Sequence, residues 1–543
     1  MKRILIAMTV VALAGGYGQA SAQTALDWHL QTPGPDSIWG ASINKAYDVL
    51  SGKKAKKPVT VAIISRGFDT EHEDLKEVLW TNRKEKAGNG VDDDKNGYTD
   101  DLHGWNFLGT KDGRDVMYTA SEASRQMDKN RARFETLWNK GRERTDWENA
   151  EVMNYIKLAR HSKVEGAYMS YMFKKNIARG MEELDKQLHE KFPDCEDFTL
   201  EQLNTLAPST EENHRDSLNS MAFYVTSMVW SFTGGRGGWN ERYAKRENDL
   251  EPARQAWEAA KAQQKDERNI IGDNLGNLAD NAYGNDNLLT GNPSVGTGLA
   301  GVIGAKRGND IGIDGIADQV SLMCIRAVPE GDEYDKDIAE AILYAVNNGA
   351  DIVLVAAHKP LADNPALTEQ ALLTAQQRGV LIVHPVGESA SDEDSEPSSP
   401  SCWNQKGIRY DNMITVAASD EEGLPLPLTN YGVKSVDLFA PGVGIYSCDA
   451  GDNYFKLTGT NASGAVVAGV AALLKSRFPK LTAAQLRDCI VSTAKVTPSD
   501  GVYHPFNPAE GTNNVRPSSY DKLCASGGII DAAAAAEKAM NMK

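Results

Sequence analysis

From Val59 onward, short apolar runs alternate with longer amphipathic stretches. Val59 to Ile64, Val320 to Ile325, Ile352 to Ala356, Val380 to Val383 and Met413 to Ala417 are nearly continuous runs rich in Val and Ile. That is the pattern of strands covered on both faces, not of half-exposed strands, which alternate. Between them, Lys336 to Asn347 and Thr368 to Gln377 carry apolar residues at helical spacing. Strands alternating with helices predict a three-layer α/β domain around a doubly wound, mostly parallel sheet. After Gly459-Thr460-Asn461 the chain is almost wholly apolar to Leu474. A helix apolar on every side belongs at the centre of a domain. Leu481 to Thr493 and Ile529 to Met540 predict two further helices.

The stretch 113–280 has a different texture, rich in Glu, Lys, Arg and Met and poor in strand signals. Met169, Phe173, Ile177, Met181, Leu184 and Leu188 recur every three or four residues, one face of a helix that Pro193 ends. We therefore expect a helical insertion over 113–280, dividing the α/β domain into 41–110 and 281–540. Gly234 to Gly238 (GGRGG) lacks the Lys and Ser/Thr of a phosphate loop and predicts a turn.

The composition, 41% hydrophobic and 24% charged over 543 residues, is that of a globular protein. A formal net charge of -17 repels phosphate backbones and argues against a nucleic-acid partner. Lys2 and Arg3, the apolar Ile4 to Ala14, and Ala20-Ser21-Ala22 form a signal peptide over 1–22. Export to the periplasm or medium follows, with no transmembrane segment in the mature chain. Six cysteines leave fifteen full pairings open; Cys324, inside an apolar run, is expected as a buried thiol.

Four segments carry a resemblance. They are Val61 to Gly67 (VAIISRG) with His72 to Leu75 (HEDL), Ser294 to Gly301 (SVGTGLAG), Val386 to Glu388 (VGE), and Gly459 to Gly469 (GTNASGAVVAG). In this order they resemble the catalytic motifs of the subtilisin-like serine proteases, and Asn430 to Gly432 and Asp437 to Gly442 resemble that family's connecting stretches. The resemblance covers about 41–107 and 281–536. It implies the subtilisin-like fold, and it places Ser65, Val295 and Asn461 at the triad's aspartate, histidine and serine positions, with Glu388 at the oxyanion-hole asparagine.

A triad needs a carboxylate to orient the histidine, a histidine to take the proton and a serine oxygen to attack. Ser65 brings no charge, Val295 has no titratable atom, and the amide of Asn461 is no nucleophile. Losing the oxyanion donor alone costs on the order of 3–4 kcal/mol of barrier, and an ionised Glu388 repels the developing oxyanion. In bland structural roles, Asn461 is expected as the N-cap of the buried helix, Val295 as packing and Ser65 as a strand-end hydroxyl. His358, after a strand, is expected at the surface.

Asp92 to Asp101 (DDDKNGYTDD) gathers five carboxylates and an asparagine in ten residues. Asp92, Asp94 and Asn96 before Gly97 match the opening of a calcium loop, with Asp100 or Asp101 as a substitute for the closing ligand, because His103 stands at the twelfth position. A structural Ca2+ is one reading; a solvated acidic turn is the other.

The expected function is an exported pseudoprotease that binds an extracytoplasmic peptide or protein. The alternative is a serine-type hydrolase using displaced residues drawn from Asp69, His72, His358, His384 and Ser463. A structural protein of the cell envelope is a third reading.

Overall fold

The computed structural model describes residues 26–33, 38–140, 144–206, 238–495, 501–510 and 515–542. The signal-peptide segment and all of the Gly234–Gly238 turn but Gly238 lie outside the described residues. The chain divides into two compact units, one of Met1–Thr119 with Glu267–Lys543 and one of Ala120–Asp266.

The first unit is built on seven strands: β1 (Val59–Ser65), β2 (Gly104–Asn106), β3 (Val320–Arg326), β4 (Ile352–Val355), β5 (Leu381–Pro385), β6 (Met413–Ser419) and β7 (Leu438–Pro441). Their spatial order is β2-β3-β1-β4-β5-β6-β7, and every pairing is parallel. Successive side chains of a strand point to opposite faces, and here both faces are covered. Val59, Val61 and Ile63 of β1 enter one apolar cluster while Ala62 and Ile64 enter another. β3 divides the same way, Val320, Leu322 and Cys324 against Met323 and Ile325.

Helices complete the layers: α1 (Ile43–Val49), α2 (Pro293–Gly304), α3 (Asp335–Asn347), α4 (Pro365–Gln377), α5 (Thr460–Arg477), α6 (Ala483–Val491) and α7 (Ala532–Asn541). Apolar residues of α2, α5, α6 and α7 share the first cluster; those of α3 and α4 share the second. Helix α5 is buried all round from Ala462 to Leu474, as its unbroken apolar run requires. Three elements escape the apolar pattern: β2 and β7, of three and four residues, and a hairpin of β8 (Ile445–Asp449) and β9 (Asn453–Leu457) that pairs apart from the main sheet. All six cysteines are free thiols, and all but Cys195 are buried.

The second unit is helical, with Glu122–Lys140, Asp146–Ala159, Lys163–Lys191, Leu200–Asn204 and Trp239–Gln263. The stripe along Lys163–Lys191 serves two separate cores. Tyr168 and Met172 pack with Met127, Phe134 and Leu137, whereas Met181, Leu184 and Leu188 pack with Phe198, Leu203 and Trp239. Phe173, expected on the buried face, is exposed, because the first core takes Tyr168 and Met172, each one position before the expected Met169 and Phe173.

Candidate functional site at the strand ends

From β1 the chain builds β2 and β3 on one side, then crosses to β4 on the other. In an open parallel sheet the loops leaving such a switch point part in opposite directions, and a crevice opens at the carboxyl ends of the strands. Ser65 ends β1 there, and His358 and Glu388 follow β4 and β5. The N-termini of α2 and α5 reach the same end of the sheet. A Cβ on Gly296 of α2 would lie 2.1 Å from the carbonyl oxygen of Gly67, and Thr297 Oγ1 accepts from Asp69 N at 2.8 Å. The structure thus brings the ends of β1 and β5 and the starts of α2 and α5 to one edge.

At that edge Ser65 is fully buried, and its hydroxyl has no hydrogen-bond partner. Its carbonyl instead accepts from Ala327 N and Val328 N at 3.1 and 3.2 Å. Val295 is half-buried and packs against the large apolar cluster, as expected. Asn461 departs from expectation. It is the second residue of α5, the N-cap is Gly459, and no side chain of that residue can cap.

Glu388 takes the capping role. Its Oε1 accepts from the backbone N of Thr460 at 2.7 Å and from Thr460 Oγ1 at 3.3 Å. The first N–H groups of a helix have no partner within it and carry partial positive charge, so a carboxylate suits them. Gly459 makes the approach fit: its φ is 134°, and a Cβ there would stand 2.4 Å from Glu388 Oε1. The carboxylate rests on the donors that an anionic group would otherwise find at this helix end.

A buried network holds the segment that carries Glu388. Asn430 Nδ2 donates to Val386 O and to Glu393 Oε1 at 2.8 and 2.7 Å, while its Oδ1 accepts from Ser389 N and Ser391 N. Ser398 N and Oγ both donate to Glu393 Oε2 at 2.8 Å. His358 is not a surface histidine: its side chain is 18% exposed, its ring covers Gly387, and its Nε2 lies 3.3 Å from Asn430 Nδ2. A side chain that size reaches inward because Gly387, at φ 87°, has no Cβ to block it. His384 of β5 is deeper, with Nδ1 3.3 Å from Val355 O and Nε2 without a partner. Burial pulls His358 down to about 4 and His384 to about 3, the latter also through the neighbouring His358.

On the other side of Ser65, Arg326 ends β3 in register with it. Its buried guanidinium donates to Arg66 O, Asn106 Oδ1 and Val116 O at 3.0, 2.9 and 2.6 Å. Burial without a bonded carboxylate brings it down to about 10, with Asp115 acting the other way, so it stays protonated at neutral pH.

The displaced candidates are not assembled into a relay. Ser463 is buried inside α5, and its hydroxyl donates to Ala440 O at 2.9 Å. His72 spends both ring nitrogens on backbone, Nε2 at 3.1 Å from Asn453 O and Nδ1 accepting from Asp74 N at 3.1 Å. Asp69 accepts from Glu71 N and Gly451 N.

In the acidic loop, Asp92 and Asp94 both accept from Asn96 N at 3.1 Å. Together with Glu85 they bring three carboxylates within 4.8 Å of one another. Asn96 turns its oxygen to Tyr98 N, and Asp100 binds Asn89 N and Gly90 N. Glu85 escaped the motif because it precedes the loop; its Oε1 and Oε2 reach back to Asp94 N and Asp100 N at 3.0 and 3.2 Å. Three hard oxygen donors of this kind fit a divalent cation such as Ca2+.

Two expectations follow for the site. Gly459→Ala forces a side chain into a left-handed backbone and against Glu388, and should cost about 2 kcal/mol in chemical denaturation; adding Glu388→Ala should recover part of that loss. Acidification should also destabilise the fold. Unfolding returns His384 from about 3 towards its ordinary 6.5, so the unfolded chain binds the extra proton as pH falls below that value. Stability is therefore lost between about pH 6.5 and 3, by up to about 1.4 kcal/mol per pH unit for this group. Urea midpoints from pH 6.5 to 4 should fall less steeply in His384→Gln.

Comparison with known proteins supplies the family. The subtilase family model matches residues 172–520, more than half of the chain; β1 with Ser65 lies before that match. Subtilisin BL of Lederbergia lenta is 32% identical over 231 residues, 41% of this chain and 80% of the relative. A thermophilic serine proteinase of Bacillus sp. (strain AK1) is 31% identical over 221 residues, 40% of this chain and 51% of the relative. Among solved structures, the prenylagaramide maturation protease PagA covers 46% of this chain and 83% of its own at 22% identity, with a TM-score of 0.37. With the parallel seven-stranded sheet and its flanking helices, the family match is decisive: this chain belongs to the subtilase family.

Proposed function

We propose that this chain is an exported subtilase scaffold that does not cleave peptides and instead binds a peptide or protein partner outside the cytoplasm. One observation carries the reading: the carboxylate of Glu388 sits 2.7 Å from Thr460 N, on the helix terminus where negative charge would have to be stabilised during acyl transfer. A second carboxylate-like oxygen developing beside it meets repulsion where hydrolysis needs attraction.

The motif positions support the same reading. At Ser65, Val295 and Asn461 no side chain offers a titratable base, and a buried hydroxyl without a base beside it is not activated. Ser463 and His72, the best displaced candidates, are each committed to backbone partners. A family scaffold kept without its relay is suited to recognition. The acidic charge of -17 disfavours nucleic acid, and no helix of the described residues is long and apolar enough to cross a membrane. Lys2, Arg3 and the apolar run behind them support export to the periplasm or medium.

A structural Ca2+ belongs to the same proposal. Glu85, Asp92 and Asp94 would hold it, and its role would be to neutralise three gathered carboxylates and fix the loop.

Purified protein should leave casein and peptide libraries uncut and should not react with a fluorophosphonate probe. Labelling that vanishes in Ser463→Ala would overturn the reading in favour of displaced chemistry. A pull-down with mature protein from envelope and culture medium should recover a peptide or protein ligand. Titration with Ca2+ should release heat and raise the melting temperature, and Asp92→Asn with Asp94→Asn should abolish both; a flat titration removes the ion from the proposal.

A further inference from the structure

The face of α4 formed by Pro365, Thr368, Glu369 and Leu372 lies opposite the segment from Pro397 to Tyr410, and a cavity of about 140 Å3 opens between them. None of the motif residues lines it. Cavities of about 150 Å3 accept a benzene-sized guest. The walls suit an apolar body: Leu372, Pro365, Pro397, and the rings of Trp403 and Tyr410.

The polar groups of the walls select the other end of the guest, because most are already spent. Thr368 Oγ1 donates to Pro365 O at 3.0 Å, Ser398 Oγ donates to Glu393, and Ser401 Oγ accepts from Trp403 N. The indole N–H of Trp403 donates to Ser435 Oγ at 3.0 Å. Glu369 and Tyr410 keep acceptor capacity. Glu369 gives only Oε2 to the protein, accepting from Gln405 N at 3.1 Å. The hydroxyl of Tyr410, a residue 3% exposed, has no partner at all. Buried polar atoms normally have partners, so an orphaned phenol lining a cavity beside a carboxylate needs an explanation. Burial raises this phenol and the charge of Glu369 raises it further, so it stays a neutral O–H whose oxygen can accept. The guanidinium of Arg409 lies 5.9 Å from the indole centroid and is turned to Asp437 at 2.9 Å, a carboxylate it shares with Arg487.

A carboxylate, a free phenol oxygen and two aromatic walls favour a guest that donates hydrogen bonds and carries positive charge. We propose that this cavity is a binding site for a small organic ammonium, with Glu369 and Tyr410 taking the charged head and Leu372, Pro397 and Trp403 the apolar body. The site stands apart from the strand ends, so it does not depend on whether those ends cleave or bind peptides.

Saturation-transfer NMR and calorimetry on the full mature chain test it with three isosteric probes: benzylammonium, benzyl alcohol and benzoate. Benzylammonium should bind at least roughly tenfold more tightly than the alcohol, and benzoate least. Glu369→Gln, at a half-exposed helical position, should erase the preference for the cation while leaving the melting temperature unchanged. Tyr410→Phe should weaken benzylammonium several-fold with the alcohol little affected. Equal binding of the three probes, no binding at millimolar concentration, or soaked crystals holding only ordered water in the cavity would overturn the proposal.

Discussion

A helix buried in the middle of a domain carries a liability at its start: several N–H groups with no acceptor and little water to supply one. Thr460–Arg477 is such a helix, buried on every side. Its N-terminus opens at the crevice, and Glu388 satisfies it from the loop that follows the neighbouring strand. Much of the local architecture follows from that contact. Gly459 adopts a backbone that makes room for the carboxylate, and Asn430 pins the segment carrying it from both sides. The ring of His358 closes over Gly387 beneath it. The strand ends are thereby organised around a carboxylate that faces the open crevice.

The large features of the fold were legible because burial on both faces leaves a plain trace. Runs such as Val59 to Ile64 and Met413 to Ala417 have no alternation to confuse with half-exposed strands. The continuous run into Leu474 marked the central helix for the same reason. What the chain hid were short or long-range features. β2 contributes three residues whose strand character comes from pairing with β3, not from their own composition. The hairpin of β8 and β9 has mixed burial and holds its register through pairing across a tight turn.

For the site, the sequence offered candidate residues but little about the contacts they make. Motif order singled out Ser65, Val295, Glu388 and Asn461, which lie on or beside elements that begin or end at one edge of the sheet. It did not indicate that Glu388 rather than Asn461 caps the helix, since a cap supplied from another strand leaves no local spacing signal. Glu85 was missed in the acidic loop for a related reason: it joins Asp92 and Asp94 only once the chain has turned back on itself. His358 looked exposed because it follows a strand, and the glycine that admits its ring lies in the loop after the next strand.

Arg326 shows what such an edge demands of a single side chain. Its planar fork reaches the carbonyls of Arg66 and Val116 and the amide of Asn106 together, three separate stretches of chain held by one group. A lysine keeps the charge but offers a compact point rather than a fork, and cannot span acceptors so arranged. Drift at this position is therefore confined in a way that charge alone does not dictate: the residue serves as a rivet whose shape, more than its sign, fixes how three loops leave the sheet.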